Sequence, residues 1–366
     1  MSSLQQRDGL VYIAFDASRD VLVAGVLRPG EDTPTIERVF NDEASIRRFI
    51  RGFPERGVLR TCYEAGPGGY ELYRLLTSMN LSCQVIAPSL IPLAPGERVK
   101  TDKRDARRLV RQFRSGELVA IRVPSREEEA VRDLCRARAD ATEDLTRAKN
   151  RLAHFLVRHG RIYRDGTTWT LKYRSWLAAQ SFDHPAATAT FGRYRSTVQC
   201  RQAELEAIEA DMTAYLDVEP FCGPVTRLSA YRGVDRLGAL VLQAEVCDWR
   251  RFSGRDDAGA FCGLVPSEYS SGGSVVRGGL THAGNVHLRR QLVESAWAYR
   301  SGPSLGPSLR RRQAGVSPET AARAWAAQVD LCRRFRSLDK CKSVRGVVVA
   351  AIARRLVGHL YAEMVA

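Results

Sequence analysis

The first 120 residues alternate between short apolar runs and amphipathic segments, a pattern that is typical of an α/β domain. Three apolar runs follow one another with short connections, which predicts an antiparallel meander. Two further strands then alternate with helices whose apolar residues share one face. The predicted strands are Leu10–Phe15, Val21–Leu27, Thr35–Phe40, Val58–Tyr63 and Cys83–Ala87. The predicted helices are Asp42–Arg51, Gly69–Met79 and Asp102–Arg114, the last closed by Gly116.

This order of elements, β-β-β-α-β-α-β-α, is similar to that of the RNase H-like fold of the RuvC type. That fold is a mixed sheet with helices on its faces. The strand order in space does not follow from periodicity, so it is an expectation that rests on the similarity. We therefore expect an α/β RNase H-like domain over residues 1–122.

A second region, residues 123–220, is predicted to be helical. Between Arg126 and Gly160 the chain has no internal Gly or Pro, and its apolar residues recur with heptad spacing. The two registers are Val131, Arg138, Leu145 and Leu152, and Leu134, Ala141, Ala148 and Phe155. Such a seam fits a helical hairpin within the chain or a coiled coil between subunits. The segment Gln202–Tyr215 is the candidate return arm, and Asp217–Pro224 is the candidate linker.

Residues 221–366 differ in composition, because helical runs alternate with Gly-rich turns, which predicts a separate and mostly α-helical C-terminal domain. The segment RLSAYRGVDRLGALVLQAEV resembles a helix-hairpin-helix, whose turn binds a DNA backbone through its N–H groups. Asp235 stands where the second glycine of that turn is usual, so a structural role is the alternative. The run Arg310–Arg312 fits a nucleic-acid contact or a solvated loop equally well, and Arg333–Ala366 is predicted to form a closing helix pair.

The charge of the chain points to a polyanionic partner. The formal net charge is +15 and the pI is about 9.7, and Lys and Arg that neutralise phosphates release condensed counterions. A merely positive surface is the alternative, because net charge bears on partners and not on fold. The nine cysteines form no CxxC pair and no zinc-spaced cluster, which is typical of reduced thiols in a cytosolic protein. The sequence also predicts no membrane span.

Four carboxylates follow the predicted elements in a way that suits a two-metal site. Asp16 follows the first strand, Glu64 follows the fourth, and Asp102 and Asp105 lie three apart at a helix start. Hard cations such as Mg²⁺ or Mn²⁺ prefer oxygen ligands, and paired ions stabilise the attacking and leaving oxygens of a phosphate ester. Each acid also has a simpler interpretation: a turn residue, a helix cap at Asp102, or an ion pair between Asp105 and Arg108.

The segments YIAFDAS, CYEAGPGGYELYRLL and VKTDKRDARRL resemble the N-terminal half of IS110/IS1111 transposases, also called DEDD or bridge-RNA-guided recombinases. The family pattern is a strand ending in Asp, then a Glu-Ala motif, then Lys-(Thr/Asn)-Asp-x-x-Asp-Ala. The resemblance implies that Asp16, Glu64, Asp102 and Asp105 are the catalytic metal ligands.

The segment FCGLVPSEYSSGGSVVRGGLTHAGNVHLRRQLVESAW resembles the second signature of the same family. The resemblance implies that Ser271 is the nucleophile, with Ser270 as the adjacent rival. Taken alone, a serine in a Gly-rich turn is more typical of an ordinary turn. Positions around it are candidates for holding nucleic acid, and His282 stands where the family often has lysine. The candidate contacts are Arg277, His282, Asn285, Arg289 and Arg290.

The resemblance implies a DNA transposase of an insertion sequence that exchanges strands through a phosphoserine. Its expected partners are donor and target DNA, a structured noncoding guide RNA, and further copies of the chain in a dimer or tetramer. The expected location is the bacterial cytoplasm, at the nucleoid. The alternative enzyme is a RuvC-like Holliday-junction resolvase that uses water as the nucleophile. A third hypothesis is a nucleic-acid-binding protein whose carboxylates no longer bind metal.

Overall fold

The computed structural model describes residues 9–88, 91–92, 101–271, 274–281, 283–342 and 344–366. The chain divides into two compact units, residues 1–123 and 124–366. The boundary lies one residue from the predicted end of the first domain. Both further predicted regions, 123–220 and 221–366, fall mainly in the second unit, and the boundary between them stays a prediction.

The first unit contains the mixed five-stranded sheet that the sequence predicts. Its strands are β1 Val11–Ala17, β2 Val21–Leu27, β3 Thr35–Phe40, β4 Leu59–Glu64 and β5 Ser82–Ile86. The spatial order is β3-β2-β1-β4-β5. Strands β1, β2 and β3 pair antiparallel, whereas β4 pairs parallel with both β1 and β5. This sheet is consistent with the expected RNase H-like fold.

Helices cover both faces of that sheet. They are α1 Glu43–Arg51, α2 Glu71–Ser78 and α3 Asp102–Ser115. Because side chains alternate along a strand, Ile13 and Phe15 of β1 join a core with α1 and α2, while Tyr12 and Ala14 join a core with α3. The sheet is therefore buried on both sides, and α3 lies alone on one of them among the described residues.

The second unit begins with a helical hairpin. Its helices are α4 Arg126–Arg158, α5 Leu171–Ala178 and α6 Pro185–Thr213. A capping box between Ser125 and Glu128 starts α4. Of the two interpretations of the heptad seam, the structure shows the one within the chain: α4 packs along α6. Arg138, which interrupts the seam, pairs with Glu209 of α6, their side chains 2.7 Å apart.

The remainder of the second unit is mostly helical, as predicted, with one two-stranded sheet. Its elements are α7 Cys222–Ser229, α8 Arg236–Val246, α9 Arg255–Phe261, β6 Pro266–Ser271, β7 Ser274–Leu280, α10 Val286–Ala296, α11 Pro307–Gln313, α12 Pro318–Cys341 and α13 Arg345–Val365. Short 3-10 turns lie at Arg56–Val58 in the first unit, and at Trp249–Arg251 and Trp297–Arg300 in this one. The candidate linker is partly helical, because α7 begins within it. It is also partly buried, since Phe221 lies in the core around α8 and α13. The predicted closing helix pair is α12 and α13, and α12 begins earlier than expected.

All nine cysteines carry free thiols. Burial raises the pKa of several of them, for example that of Cys135 to about 12 and that of Cys83 to about 11. Among the described residues, no helix is both long enough and apolar enough to cross a bilayer.

Candidate active site

Asp16 and Glu64 lie on neighbouring parallel strands, at the same edge of the sheet. Asp16 lies inside β1 and pairs with Val23, because this strand ends at Ala17, two residues later than predicted. Glu64 is the last residue of β4. Phe15 and Tyr63 are register partners whose side chains enter the core under α1 and α2. The next residue on each strand faces the other way. Both carboxylates therefore belong to the sheet face that α3 covers.

Helix α3 is held against this face with its first turn toward the two carboxylates. At Gly25, opposite Ala14, an added Cβ would lie 2.6 Å from the backbone oxygen of Ala106. Further along the helix, the ring of Phe113 meets that of Tyr12 edge-on at 5.4 Å. Because Tyr12 precedes Ala14 on β1, α3 runs antiparallel to this strand. Its N-terminal turn lies at the end of β1 that carries Asp16.

Asp102 and Asp105 both lie in that first turn, in different surroundings. Thr101 is the N-cap and its side chain makes no capping bond, so Asp102 is the exposed first residue of the helix and not its cap. Asp105 is largely buried, and its Oδ1 accepts a hydrogen bond from Arg108 at 2.9 Å. Its Oδ2 is buried without a hydrogen-bond partner. An unpaired buried carboxylate oxygen is costly unless a cation binds it.

The oxygen-only donor set and the unpaired Asp105 Oδ2 fit a hard divalent cation. No metal-holding group of three or more His, Cys, Asp or Glu side chains is formed by the described residues as they stand. The four carboxylates thus share one end of the sheet without forming a closed cage. The metal prediction fits the chemistry of the site, and the assignment of all four residues stays a prediction.

Ser271 lies in a different unit, at the end of a strand. It is the last residue of β6, and the register pairs Ser271 with Ser274 and Ser270 with Val275. The sequence predicted a turn position for Ser271, and the structure makes it the last residue of a strand. Gly272 and Gly273, which follow it, lie outside the described residues. The role of Ser271 as the nucleophile stays a prediction.

The base of this β-hairpin is clamped by two glycines of the second signature. Gly263 has φ +64°, and an added Cβ would lie 2.0 Å from the backbone oxygen of Ala283. Gly284 has φ +97°, and an added Cβ would lie 2.4 Å from the backbone oxygen of Phe261. The Asn285 N–H also donates to that oxygen at 2.8 Å. Only glycine fits at these positions, because both backbone conformation and contact exclude a side chain.

Asn285 joins the end of this hairpin to a buried carboxylate. Its Oδ1 accepts the backbone N–H groups of His287 and Leu288 at 3.0 Å and so caps α10. Its Nδ2 donates to Glu245 Oε2 at 2.6 Å. Arg136 of α4 donates to both oxygens of Glu245, at 2.8 and 2.9 Å. Burial alone raises the pKa of Glu245, but the hydrogen bonds from Arg136 and Asn285 outweigh it and hold the pKa below its usual value.

Glu245 is not among the residues predicted from the sequence, although the sequence carries a signal for it. Its side chain is 1% exposed in α8, a helix whose other residues are almost all apolar. A charge in such a segment predicts a buried partner, because an unpaired buried carboxylate is strongly unfavourable. The sequence alone does not show that the partners come from α4 and from the N-terminus of α10.

The other candidate nucleic-acid contacts are placed as follows. Arg277 lies in β7 opposite Glu268, and only its backbone is described. His282 lies outside the described residues. Arg289 donates to the backbone oxygen of Cys262 at 3.2 Å, and Arg290 pairs with Glu143 at 2.7 Å. Arg289, Arg290 and Asn285 thus have partners within the chain, and their nucleic-acid contacts stay predictions.

The segment that resembles a helix-hairpin-helix is packed against protein. An added Cβ at Gly233 would lie 2.2 Å from the backbone oxygen of Ser295. Asp235 accepts the Gly238 N–H at 2.7 Å and caps α8. Arg312 donates to the backbone oxygen of Ser229 at 2.8 Å. These contacts favour the structural alternative for this turn, and they show that one arginine of the run Arg310–Arg312 stabilises it.

Comparison with known proteins supports the interpretation of both motif groups. The family model described as transposase IS116/IS110/IS902 matches residues 225–305, and a DEDD transposase model of IS110 matches residues 13–160. A protein of Sinorhizobium fredii, y4qE, whose name places it among transposases, is 40% identical over 87% of this chain and 79% of its own length. The chain belongs to the IS110 family of transposases.

Two further relatives of this IS110-family transposase extend the match. The transposase for insertion sequence element IS1533 of Leptospira borgpetersenii is 29% identical over 90% of this chain and 96% of its own length. The transposase for IS1111A of Coxiella burnetii is 26% identical over 64% of each chain. The DEDD match contains all four carboxylates, and the other match contains Ser271. The protein is thus an insertion-sequence transposase, an enzyme that cuts and recombines DNA, and the resolvase alternative is not favoured.

Proposed function

We propose that this transposase exchanges DNA strands through two groups of its own residues: the carboxylates Asp16, Glu64, Asp102 and Asp105, and the nucleophile Ser271. The observation that carries the proposal is the shared edge of Asp16 and Glu64 beneath the first turn of α3, with the buried Asp105 Oδ2 unpaired. Mg²⁺ or Mn²⁺ bound there would supply positive charge to the scissile phosphate. The carboxylates orient and hold that charge.

The proposed reaction of Ser271 is a transesterification. The Ser271 hydroxyl oxygen attacks phosphorus, the bond from phosphorus to one deoxyribose oxygen breaks, and the serine proton ends on that leaving oxygen. A phosphoserine and a free DNA hydroxyl result. In the reverse chemistry, a hydroxyl of the exchanged strand attacks the phosphoserine and restores the serine. No net phosphodiester energy is lost, which suits strand exchange better than hydrolysis by water.

We further propose that a structured RNA encoded by the same element selects donor and target DNA, and that dimers of the chain pair into a tetramer. The family resemblance implies both. The net charge of +15 supports binding of more than one nucleic acid, because each phosphate contact of Lys or Arg releases a counterion. RNA helices are bound mainly through phosphate, 2′-hydroxyl and shape, which a basic surface provides.

The test uses the full chain, labelled element-end DNA, and RNA transcribed from the DNA flanking the gene. With Mg²⁺ and RNA, the wild type and Ser270→Ala are expected to form a covalent protein–DNA adduct that resists denaturing electrophoresis. Ser271→Ala is expected to form none, while its thermal unfolding and RNA binding remain unchanged. Asp105→Asn is expected to lose the adduct at least 100-fold, since a transition-state charge contact is removed.

Different outcomes would contradict the role of Ser271, the metal site and guidance by RNA. Full strand exchange by Ser271→Ala, or loss of the adduct in Ser270→Ala alone, would show that the nucleophile is wrong. Cutting by Ser271→Ala without an adduct would support water as the nucleophile. Adduct formation by Asp105→Asn at the wild-type rate would contradict the metal site. Equal activity with and without RNA would contradict guidance.

A further inference from the structure

Charge is divided unevenly along the helical hairpin of the second unit. We call residues 149–195 the hairpin tip, and residues 126–148 and 196–216 the hairpin base. The tip has nine Lys or Arg and two Asp or Glu, whereas the base has six Lys or Arg and eleven Asp or Glu. The tip thus carries a net charge of +7, almost half of the total of the chain.

The fold gathers the positive charges at one end. The tip contains the last ten residues of α4, all of α5 and the first part of α6, and they share one hydrophobic core. Leu152 and Phe155 of α4 pack there with Tyr173 of α5 and Phe191 of α6. Since α4 and α6 are antiparallel, basic residues that are more than forty positions apart in sequence, such as Arg151 and Arg195, lie on the same compact end.

Among the described residues, these charges are not neutralised by ion pairs. Seven of the nine basic side chains are exposed: Arg151, Arg158, Arg161, Arg164, Lys172, Arg174 and Arg193. Residues 149–195 are described throughout, and none of the nine forms an ion pair with a carboxylate. In the base, by contrast, Arg147 pairs with Glu143 and Asp144, and Arg201 pairs with Glu204. Burial and the positive charge of Arg174 lower the pKa of Lys149, as expected where like charges accumulate.

The aromatic residues of the tip are occupied with one another. Each of its eight rings contacts another ring, for example Tyr163 with Tyr173 at 5.1 Å and Phe155 with Phe182 at 5.3 Å. Lys149 also covers Trp169, its Nζ 5.0 Å from the ring centroid. Binding of single strands relies on aromatic faces that are free to stack on bases. The tip therefore presents charge without a stacking surface, which suits the backbone of a duplex.

We infer that the hairpin tip binds the phosphate backbone of duplex DNA, without reading its sequence. A polyanion matches seven exposed and unpaired cations, whereas the tip of a second copy would repel them. A regular double helix presents phosphates to a rigid basic end without needing aromatic contacts. This role is separate from the chemistry at the carboxylates and at Ser271, because it gives affinity for the DNA arms around the reacting site.

The test compares two double variants that remove the same charge. The tip double is Arg164→Gln with Lys172→Gln, and the base double is Arg147→Gln with Arg201→Gln. Arg164, Lys172 and Arg147 are exposed and Arg201 is half-buried, and only Arg147 and Arg201 have ion-pair partners. Binding to a labelled mixed-sequence DNA duplex of about 30 base pairs is measured by fluorescence anisotropy between about 50 and 200 mM salt. EDTA is present, so the result does not depend on metal or on Ser271.

For the tip double, we expect the slope of log affinity against log salt to decrease in magnitude by about 1.8, and affinity to weaken on the order of 50-fold at about 0.1 M salt. The base double is expected to match the wild type. An unchanged slope for the tip double, or an equal loss in both doubles, overturns the inference. A larger loss for an RNA duplex of the same length assigns the surface to RNA and overturns it too. So does a changed sedimentation coefficient of the tip double with unchanged DNA affinity, which indicates a contact between copies.

Discussion

The substitution Asn285→Asp tests the hydrogen bond from Asn285, which follows the β6–β7 hairpin, to the buried Glu245. An aspartate is nearly isosteric with asparagine and caps helices equally well, so the bonds from the His287 and Leu288 N–H groups are kept. The donor to Glu245 is lost, and a second carboxylate is placed where Nδ2 now lies 2.6 Å from Glu245 Oε2. The substitution therefore isolates one interaction of Asn285.

Two estimates bound the free energy of unfolding that Asn285→Asp is expected to lose. Two unit charges ~4 Å apart repel by about 4 kcal/mol at an effective dielectric constant of ~20. The pair avoids this by binding a proton, which at pH 7 costs a carboxyl of ordinary pKa about 4 kcal/mol. The bidentate bonds from Arg136 offset part of either cost. We expect Asn285→Asp to lower the free energy of unfolding by about 2–4 kcal/mol at pH 7.

The sign of the pH dependence is distinctive. The neighbouring Glu245 is expected to raise the pKa of the introduced carboxyl in the folded state. The loss of stability is then largest at high pH and shrinks as the pH falls through that pKa. The change is expected to be at most about 1.4 kcal/mol per pH unit. The measurement is urea unfolding followed by circular dichroism from pH 5 to pH 8. Asn285→Ser, which keeps a capping oxygen and adds no charge, is expected to show a smaller loss that does not vary with pH. An Asn285→Asp protein as stable as the wild type at pH 7 would refute the reasoning, and so would a loss of unfolding free energy that is equal at all pH values.

Two further predictions concern other contacts. Gly25→Ala pushes a Cβ against the backbone oxygen of Ala106 and is expected to lower the free energy of unfolding by about 1–3 kcal/mol, measured by thermal unfolding. It is also expected to lower DNA cutting at least tenfold, because α3 carries Asp102 and Asp105. Gly57→Ala, whose Cβ would meet nothing within 4 Å, is the control, and equal effects of the two substitutions would contradict the role of Gly25. Burial raises the pKa of Asp330, but hydrogen bonds from Arg355 and His359 lower it to about 2, below its value in the unfolded chain. The ionised Asp330 therefore stabilises the folded state above pH ~4, and this contribution is lost as the pH falls toward 2. Asp330→Asn is therefore expected to cost about 1–2 kcal/mol of unfolding free energy at pH 7 and progressively less below pH ~4, and a pH-independent difference would contradict this.

Much of the first unit was predictable from local pattern. The five strands and three helices appear within a few residues of their predicted bounds, because alternating burial and caps are local properties of the chain. The heptad seam of α4 likewise predicted a long helix with one apolar face. It did not identify the partner, since periodicity shows which side chains are buried and not what they are buried against. The partner is α6, and Arg138 is accommodated in the seam because Glu209 lies opposite.

The sequence by itself determined the candidate chemistry: which carboxylates, which serine and which glycines belong to the two motif groups. Only the tertiary structure decided how they are held. Asp16 and Glu64 share a face because β1 and β4 are parallel neighbours, and α3 reaches them because Gly25 lets its backbone approach. The partners of the buried Glu245 are Arg136 and Asn285, which lie 109 and 40 positions away in sequence. Contacts between residues so distant in sequence depend on the packing of whole elements, which no local pattern records.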